Sequence, residues 1–303
     1  MKSYHGNGKL LLTGEYFVLD GAKAMALPTQ LGQGFVFEGS PDPDIIHWRS
    51  ITTSLDIWFR ARIRLSTFEI VWTTNQKAAE RLVQFFEIIR AERPDLFEES
   101  FGCRACLMFP QNWGLGSSST MVHCLARWSK MDPYVLLEKT FGGSGYDVAC
   151  AGLNTPLFYQ LADNQRIVEE YNWQPKFANE LYFVYLGKKQ NSREGIKRYR
   201  EKVKNSPELV AEVTKLTNNI AQAETLQEFE FWLEKHEAFI AEHLELKRAK
   251  DLYFEDYWGT IKSLGAWGGD FVLATSNRSK EETQAYFTSK NMMDFLTFQE
   301  LIR

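Results

Sequence analysis

Residues 110–120 read PQNWGLGSSST, with Gly114 and Gly116 followed by Ser117, Ser118 and Ser119 directly ahead of a helical pattern. Glycines let a backbone bend tightly and approach a ligand closely. A helix start offers unpaired N–H groups and the positive end of its dipole to an anion. The serine hydroxyls add donors for phosphate and oxygen ligands for a hard cation such as Mg2+. Serine N-caps in an ordinary loop account for the same residues. Other phosphate and acyl-transfer signatures do not fit. No lysine follows the glycines as a P-loop requires, G-x-G-x-x-G is absent, and Thr120 stands where a nucleophile elbow needs its last glycine. Cys103 and Cys106 form a CxxC, but no second pair lies at zinc-ribbon spacing and the surrounding FGCRACLMF reads as a strand.

The elements that must position this loop are a strand near 103–109, Pro110, and a helix behind. In that helix Met121, Cys124, Leu125 and Trp128 recur at i, i+3, i+4 and i+7. A second short helix, about 133–140, leads into FGGSGYDVACAG. The first hundred residues are mostly β. KLLLT and YFVL are apolar runs, and Asp20-Gly21 after the second is a hairpin signal. DIWFRARIRL alternates Ile57, Phe59, Ala61, Ile63 and Leu65 with Trp58, Arg60, Arg62 and Arg64, a half-buried strand. Its arginine row reads as a solvated face rather than a phosphate site. TFEIVW is another strand, followed by a helix over about 77–93 that Pro94 stops.

A strand near 156–161 comes next, and from about 175 the composition turns helical. ELYFVYLG is a buried strand, and NSREGIKRYREKV starts a helix capped by Asn191 or Ser192. Leu209, Val213, Leu216 and Ile220 mark a helix, residues 226–248 another, and WGGDFVLATS a glycine turn before a strand. The pattern gives two α+β domains meeting near 165–175.

The chain has 303 residues, 44% hydrophobic and 24% charged, an ordinary globular composition long enough for two medium domains. A formal net charge of −4 argues against a general nucleic-acid binder and for small-molecule chemistry. No apolar run reaches the roughly 20 residues needed to span a bilayer. The start has only a short apolar stretch broken by Gly14 and Glu15, so no signal peptide or membrane partner is expected. Four cysteines fit a reducing cytoplasm.

Pro110, Gly114-Leu115-Gly116 and Ser117-Ser118-Ser119 together resemble the phosphate-binding motif of the GHMP kinases, the superfamily of galactokinase and of homoserine, mevalonate and phosphomevalonate kinases. Two segments support the resemblance in the family's order. GKLLLTGEYFVLDGAKAMALP, from Gly8, resembles the N-terminal motif, and SGYDVACA, from Ser144, resembles the segment carrying an acidic residue. Gly145-Tyr146-Asp147-Val148-Ala149 is also similar to a bacterial subgroup named for a Gly-Tyr-Asp-Ile-Ala signature. The match covers most of the amino-terminal part and is weak beyond it.

The resemblance implies a two-domain α+β fold. Residues 1–170 would form a ribosomal-protein-S5-like β/α domain carrying the ATP phosphate loop and catalytic aspartate. Residues 171–303 would form a ferredoxin-like α+β domain on the lid and acceptor side. It implies ATP and Mg2+ as cofactors and a small-molecule acceptor as partner, and it allows a homodimer. Pro110, Gly114, Leu115, Gly116, Ser117, Ser118 and Ser119 would bind ATP. Asp147 would orient or deprotonate the acceptor, against the competing reading that it caps a helix starting at Val148. Lys9 would keep that carboxylate ionised and offset charge on the transferred group, against an exposed lysine at a strand start.

Ser118 and Glu138, nine residues before Asp147, would hold the metal, against a plain helix-surface glutamate. Glu15, Tyr16, Ser144, Gly145, Lys189 and Ser192 would face the acceptor, with Lys188 and His5 nearby. Solvated helix-start lysines compete for the two lysines. Tyr16 departs from the histidine that mevalonate kinases tend to carry there. KSLGAWGGDFVLAT resembles the family's third glycine loop, with Gly265, Ala266, Gly268 and Gly269 in place. Trp267 and Asp270 depart from it, and Asp270 is expected to point away because its carboxylate would repel a polyphosphate.

The implied activity is ATP-dependent phosphoryl transfer to mevalonate or phosphomevalonate, with sugar and homoserine acceptors open. The alternative is a catalytically silent ligand-binding or regulatory protein of the same fold. Such a protein should have lost Lys9, the loop serine or Asp147, and all three are present.

Overall fold

The computed structural model describes the chain except residues 164, 189–191, 205, 266, 268 and 269 and the side chain of residue 192. It divides into two compact units. The first comprises Met1–Gly8, Leu31–Gln111 and Leu115–Gly152, and the second Lys9–Gln30, Asn112–Gly114 and Leu153–Arg303. Strands β1 (Lys2–Thr13) and β2 (Ala24–Gly39) each contribute residues to both units.

In the first unit β2 is joined by β3 (Ile45–Ile51), β4 (Ile57–Arg64), β5 (Ile70–Thr73) and β6 (Phe101–Leu107), hydrogen-bonded in the order β5-β4-β3-β6-β2. The alternation expected of β4 is present, with Phe59, Ala61 and Ile63 buried and Arg60 and Arg62 exposed. Helices α1 (Gln76–Glu92), α2 (Ser117–Ser129) and α3 (Pro133–Thr140) join the short α4 (Tyr146–Gly152). Asn75 and Asp132 accept backbone N–H groups to start α1 and α3, and Pro133 costs α3 nothing in its first turn. The core is aromatic, with Phe37 stacked on Trp128 at 4.6 Å and Phe35, Trp48, Phe86 and Phe101 around them. Each such side chain contributes about 1.5–3 kcal/mol by leaving water.

An odd spacing in a strand sends two side chains to opposite faces. Cys103 therefore packs into this core, where burial pushes its thiol well up, while Cys106 lies half-buried on the other side of β6.

In the second unit Ala24–Ala26 of β2 pair with β7 (Leu157–Ala162), and β7 pairs with β8 (Gln165–Glu170). A separate antiparallel sheet has the order β10-β11-β9-β12, made of β9 (Leu181–Tyr185), β10 (Ile261–Ser263), β11 (Phe271–Thr275) and β12 (Phe295–Thr297). All five β9 residues are buried, which is why ELYFVYLG carries no alternation. The helices are α5 (Ser192–Lys202), α6 (Pro207–Gln222), α7 (Leu226–Leu244), α8 (Ala249–Tyr253), α9 (Lys280–Ser289) and α10 (Phe298–Leu301). Among the described residues no helix is long and apolar enough to cross a membrane.

Two expectations change. YFVL is not a strand: Phe17–Asp20 form a 3-10 turn, entered through Tyr16 at φ 61° and left through Gly21 at φ 96°. Phe17 and Val18 are buried there, and Phe17 packs edge-on against Tyr199 at 5.0 Å. An apolar run meets the demand for burial equally well from a turn, so composition misreads it. Helix α7 also stops at Leu244, four residues early, because Glu245 turns left-handed at φ 51° and closes it.

Candidate active site

Gly116 is the N-cap of α2 and lies in the left-handed region at φ 94°, with no side chain accepting the first-turn N–H groups. A serine-capped loop is thus not what the chain builds. Ser119 Oγ turns back to donate to the Gly116 carbonyl at 2.8 Å. Thr120 Oγ1 donates to Gln33 Oε1 at 2.7 Å, and its amide is bonded to Gly116 O at 3.0 Å. Ser117 is half-buried and Ser118 exposed. Glycine at the cap supplies no oxygen, so a 13-residue helix presents an open positive end with hydroxyls beside it.

The preceding residues, Asn112–Gly114, are pinned inside the second unit. Lys9 Nζ donates to the Gly114 carbonyl at 2.9 Å, and Tyr185 OH donates to the Asn112 carbonyl at 2.9 Å. Trp113 is buried against Phe271 and Tyr185, with ring centroids 5.3 and 6.1 Å away. The described bond of Lys9 therefore shapes the loop.

Asp270 corrects an expectation. It is buried, sits at φ 52°, and its carboxylate lies against Gly114 rather than pointing away. A Cβ at Gly114, itself at φ 69°, would stand 2.5–2.6 Å from the Asp270 carboxylate atoms. The Asp270 amide donates to the Lys188 carbonyl at 2.6 Å, and its carbonyl accepts from Leu186. This backbone pairing carries the side chain inward.

In the first unit Asp147 stands in the first turn of α4, half-buried, and Oδ1 accepts from the Val148 amide at 3.0 Å. It thus has the local bond of a helix-start residue as well as a carboxylate. Gly142 and Gly143, at φ 67° and 99°, are exposed and have open space where a Cβ would be. Gly145 is different, since a Cβ there would meet the Tyr134 ring at 2.9 Å. Ser144 and Gly145 are buried, and Glu138 is exposed on α3. His5 packs on Gly32 in the same unit.

Glu15 and Tyr16 sit inside the second unit. Glu15 is fully buried, its Oε1 bonded to Lys262 Nζ. Lys262 also donates to Glu237 Oε1 at 3.2 Å and to the Ser263 carbonyl at 2.7 Å. Burial pushes the Glu237 carboxyl up to about 7 against the pull of Lys262, and it raises Glu15 too. The two carboxylates outweigh desolvation at Lys262 and hold it as an ammonium.

His236 Nε2 lies 3.3 Å from Glu15 Oε2 but accepts from the Gly14 amide at 3.2 Å. The ring is therefore neutral, consistent with burial pushing its pKa well below the usual value, and the contact is not an ion pair. Tyr16 stacks on Tyr199, its hydroxyl at Gly195. Burial, with the Glu15 and Asp270 charges, pushes that phenol up to about 12. Lys189, the Ser192 side chain, Asn191, Ala266, Gly268 and Gly269 lie outside the described residues.

Sequence reading missed Lys262, Glu237 and His236. A signal existed: on α7 the buried positions Phe229, Leu233, Ile240 and Leu244 share a face with His236 and Glu237, two polar residues at core spacing.

The donor set fits a phosphate chain, because open helix N–H groups, glycine approach and hydroxyls converge at one helix start. For a divalent cation the Ser118 hydroxyl and Glu138 carboxylate are hard oxygen ligands that face solvent. Among the described residues no cluster of three His, Cys, Asp or Glu could hold a metal.

No protein-family model matches the sequence. No curated protein matches it in sequence either. The likeness lies in structure. The chain is similar to Streptococcus pneumoniae phosphomevalonate kinase, solved with phosphomevalonate and AMPPNP, at TM-score 0.71 and 15% identity over 98% of this chain and 100% of that one. It is similar to Methanococcus jannaschii mevalonate kinase at TM-score 0.70 and 15% identity, over 97% and 96%. It is similar to Lactococcus lactis galactokinase, solved with galactose, at TM-score 0.69 and 12% identity, over 98% and 92%.

Proposed function

We propose, for a chain with the two-domain α+β fold of the GHMP kinases, that it is an ATP-dependent small-molecule kinase acting on mevalonate or phosphomevalonate. The observation that carries this is the uncapped start of α2 behind left-handed Gly116. Pro110, Gly114, Leu115, Gly116 and Ser117–Ser119 bind the nucleotide phosphates, and Ser118 with Glu138 holds the metal. Mg·ATP, when bound, supplies the phosphoryl group and the charge that offsets its transfer.

Everything else falls to side chains, since phosphoryl transfer rests on positioning and electrostatics more than on covalent chemistry. Asp147 takes the acceptor proton or orients the acceptor, and the open space at Gly142 and Gly143 admits it. Lys9 fixes the loop through Gly114. Ser144, Gly145, Lys188, Lys189 and Ser192 meet the acceptor, while Glu15 and Tyr16, both buried, shape its side from within. Residues 1–170 carry the phosphate loop and base, and residues 171–303 the lid and acceptor side.

One observation favours the silent ligand-binding reading. The Asp270 carboxylate rests on Gly114, where it opposes a triphosphate. ADP release from Mg·ATP with mevalonate, phosphomevalonate, homoserine and galactose in turn separates the two. One acceptor should stimulate release. No stimulation by any of them, with no ATP binding, overturns the kinase reading. Asp147→Asn keeps an oxygen for the Val148 amide and removes only the charge. Turnover should fall at least ~100-fold with ATP affinity within about twofold. A large loss of ATP binding instead would show the aspartate to be misplaced.

A further inference from the structure

The arginine strand of the first unit has no part in the site above. Its register sets like charges face to face. On the outer side of the sheet Arg60 lies opposite Arg49, which on its other flank lies opposite Arg104, and Arg62 lies opposite His47 and Trp72. Adjacent strands are about 4.8 Å apart and same-face neighbours along a strand about 6.8 Å, so these side chains crowd one patch. Like charges directly opposite each other destabilise a sheet.

The other basic residues around this patch have acidic partners. Arg104 pairs with Glu38 at 3.4 Å, His47 with Asp42 at 2.7 Å, and Arg64 with Glu69 at 3.0 Å. Among the described residues no acid pairs with Arg49, Arg60 or Arg62, all three exposed. They line a concavity of about 250 Å³ together with His47 and Trp72. Trp72 is 48% exposed, a large apolar face left in water beside Arg62.

We propose that this concavity is a second anion site, taking a compact oligophosphate. Guanidinium forks match phosphate oxygens in pairs, and three uncompensated charges in one hollow suit a ligand with several negative charges on adjoining groups. Trp72 closes one side and limits water around the ion pairs. A nucleic-acid strand fits less well. It needs a basic track, whereas here Glu38, Asp42, Asp44 and Glu69 border the patch and the chain as a whole carries −4.

The test is calorimetric titration of the full chain with inorganic tripolyphosphate at low salt, using R49Q/R60Q/R62Q. A control variant, K215Q/K235Q, removes charge from exposed lysines elsewhere. The arginine variant should lose one tripolyphosphate site, weakened at least ~10-fold, with unchanged circular dichroism, a melting temperature equal or higher, and unchanged ADP release. The control should keep that site, and Trp72→Phe should abolish the fluorescence change that accompanies its filling. Equal weakening in the control, no effect of the arginine substitutions, or binding of a 20-mer oligonucleotide without tripolyphosphate would each overturn the assignment. Apart from ADP release, none of these outcomes depends on whether the chain is a kinase.

Discussion

Glu237 keeps its proton in the folded chain to about pH 7, against 4.5 for an ordinary glutamate, because burial outweighs the attraction of Lys262. The sign of the consequence is fixed by linkage. Between pH 4.5 and 7 the unfolded chain releases this proton while the folded chain holds it, so this group's contribution to stability falls as pH rises. Neutral His236 acts the other way, contributing stability above its unfolded pKa that is lost on acidification. Glu237→Gln isolates the first effect, because an amide fits the same hole without titrating. Relative to wild type the variant should gain stability from pH 5 to about pH 7 and level off by pH 8, by up to about 3 kcal/mol in all. Urea unfolding at four pH values across that range measures it. A difference that stays flat with pH would place Glu237 in its ionised form throughout.

At the scale of elements, two left-handed glycines, Gly114 before α2 and Gly142 after α3, differ in what surrounds them. Gly114 and Gly142 have nearly the same φ, 69° and 67°, but a Cβ on Gly114 meets the Asp270 carboxylate and one on Gly142 meets nothing. Gly142→Ala should therefore cost only the backbone strain, about 1–2 kcal/mol. Gly114→Ala should cost more and weaken Mg·ATP binding ~10-fold or beyond. Gly114→Ala with Asp270→Ala should recover the steric part alone. Denaturation and nucleotide titration of the three variants give the comparison, and equal costs for the two single substitutions would show that Asp270 yields freely.

Elements were legible where one rule acted alone. Period-two burial made β4 plain, and Pro94 stopped the helix over 77–93 as expected. Phe17–Asp20 was not legible, since burial and strand propensity read alike there while Gly14, Tyr16 and Gly21 set the turn. Within the site, the glycine–serine loop announces itself by local composition. The Asp270–Gly114 contact and the Lys262 cluster join residues far apart in sequence, and no local pattern names such partners.

For the whole molecule, connectivity decides what can fold alone. The second unit is not a contiguous piece of chain, because Lys9–Gln30 belong to it. That segment supplies Ala24–Ala26 to pair with β7, Phe17 to pack on Tyr199, and Glu15 to compensate Lys262. Without Glu15 the ammonium of Lys262 keeps, among the described residues, one acidic partner, Glu237, whose own pKa is raised, and removing one member of a buried charge set costs about 3–5 kcal/mol. Losing the Phe17 packing on Tyr199 comes on top of that, against a total stability of about 5–15 kcal/mol for a domain. A fragment of residues 171–303 should therefore show helix by circular dichroism but no cooperative unfolding, with fast amide exchange in β9 and β11. A fragment in which residues 9–30 are joined by a flexible linker to residues 153–303 should regain a sharp transition. If residues 171–303 alone unfold cooperatively, the buried Glu15–Lys262 pairing contributes little to holding that unit together.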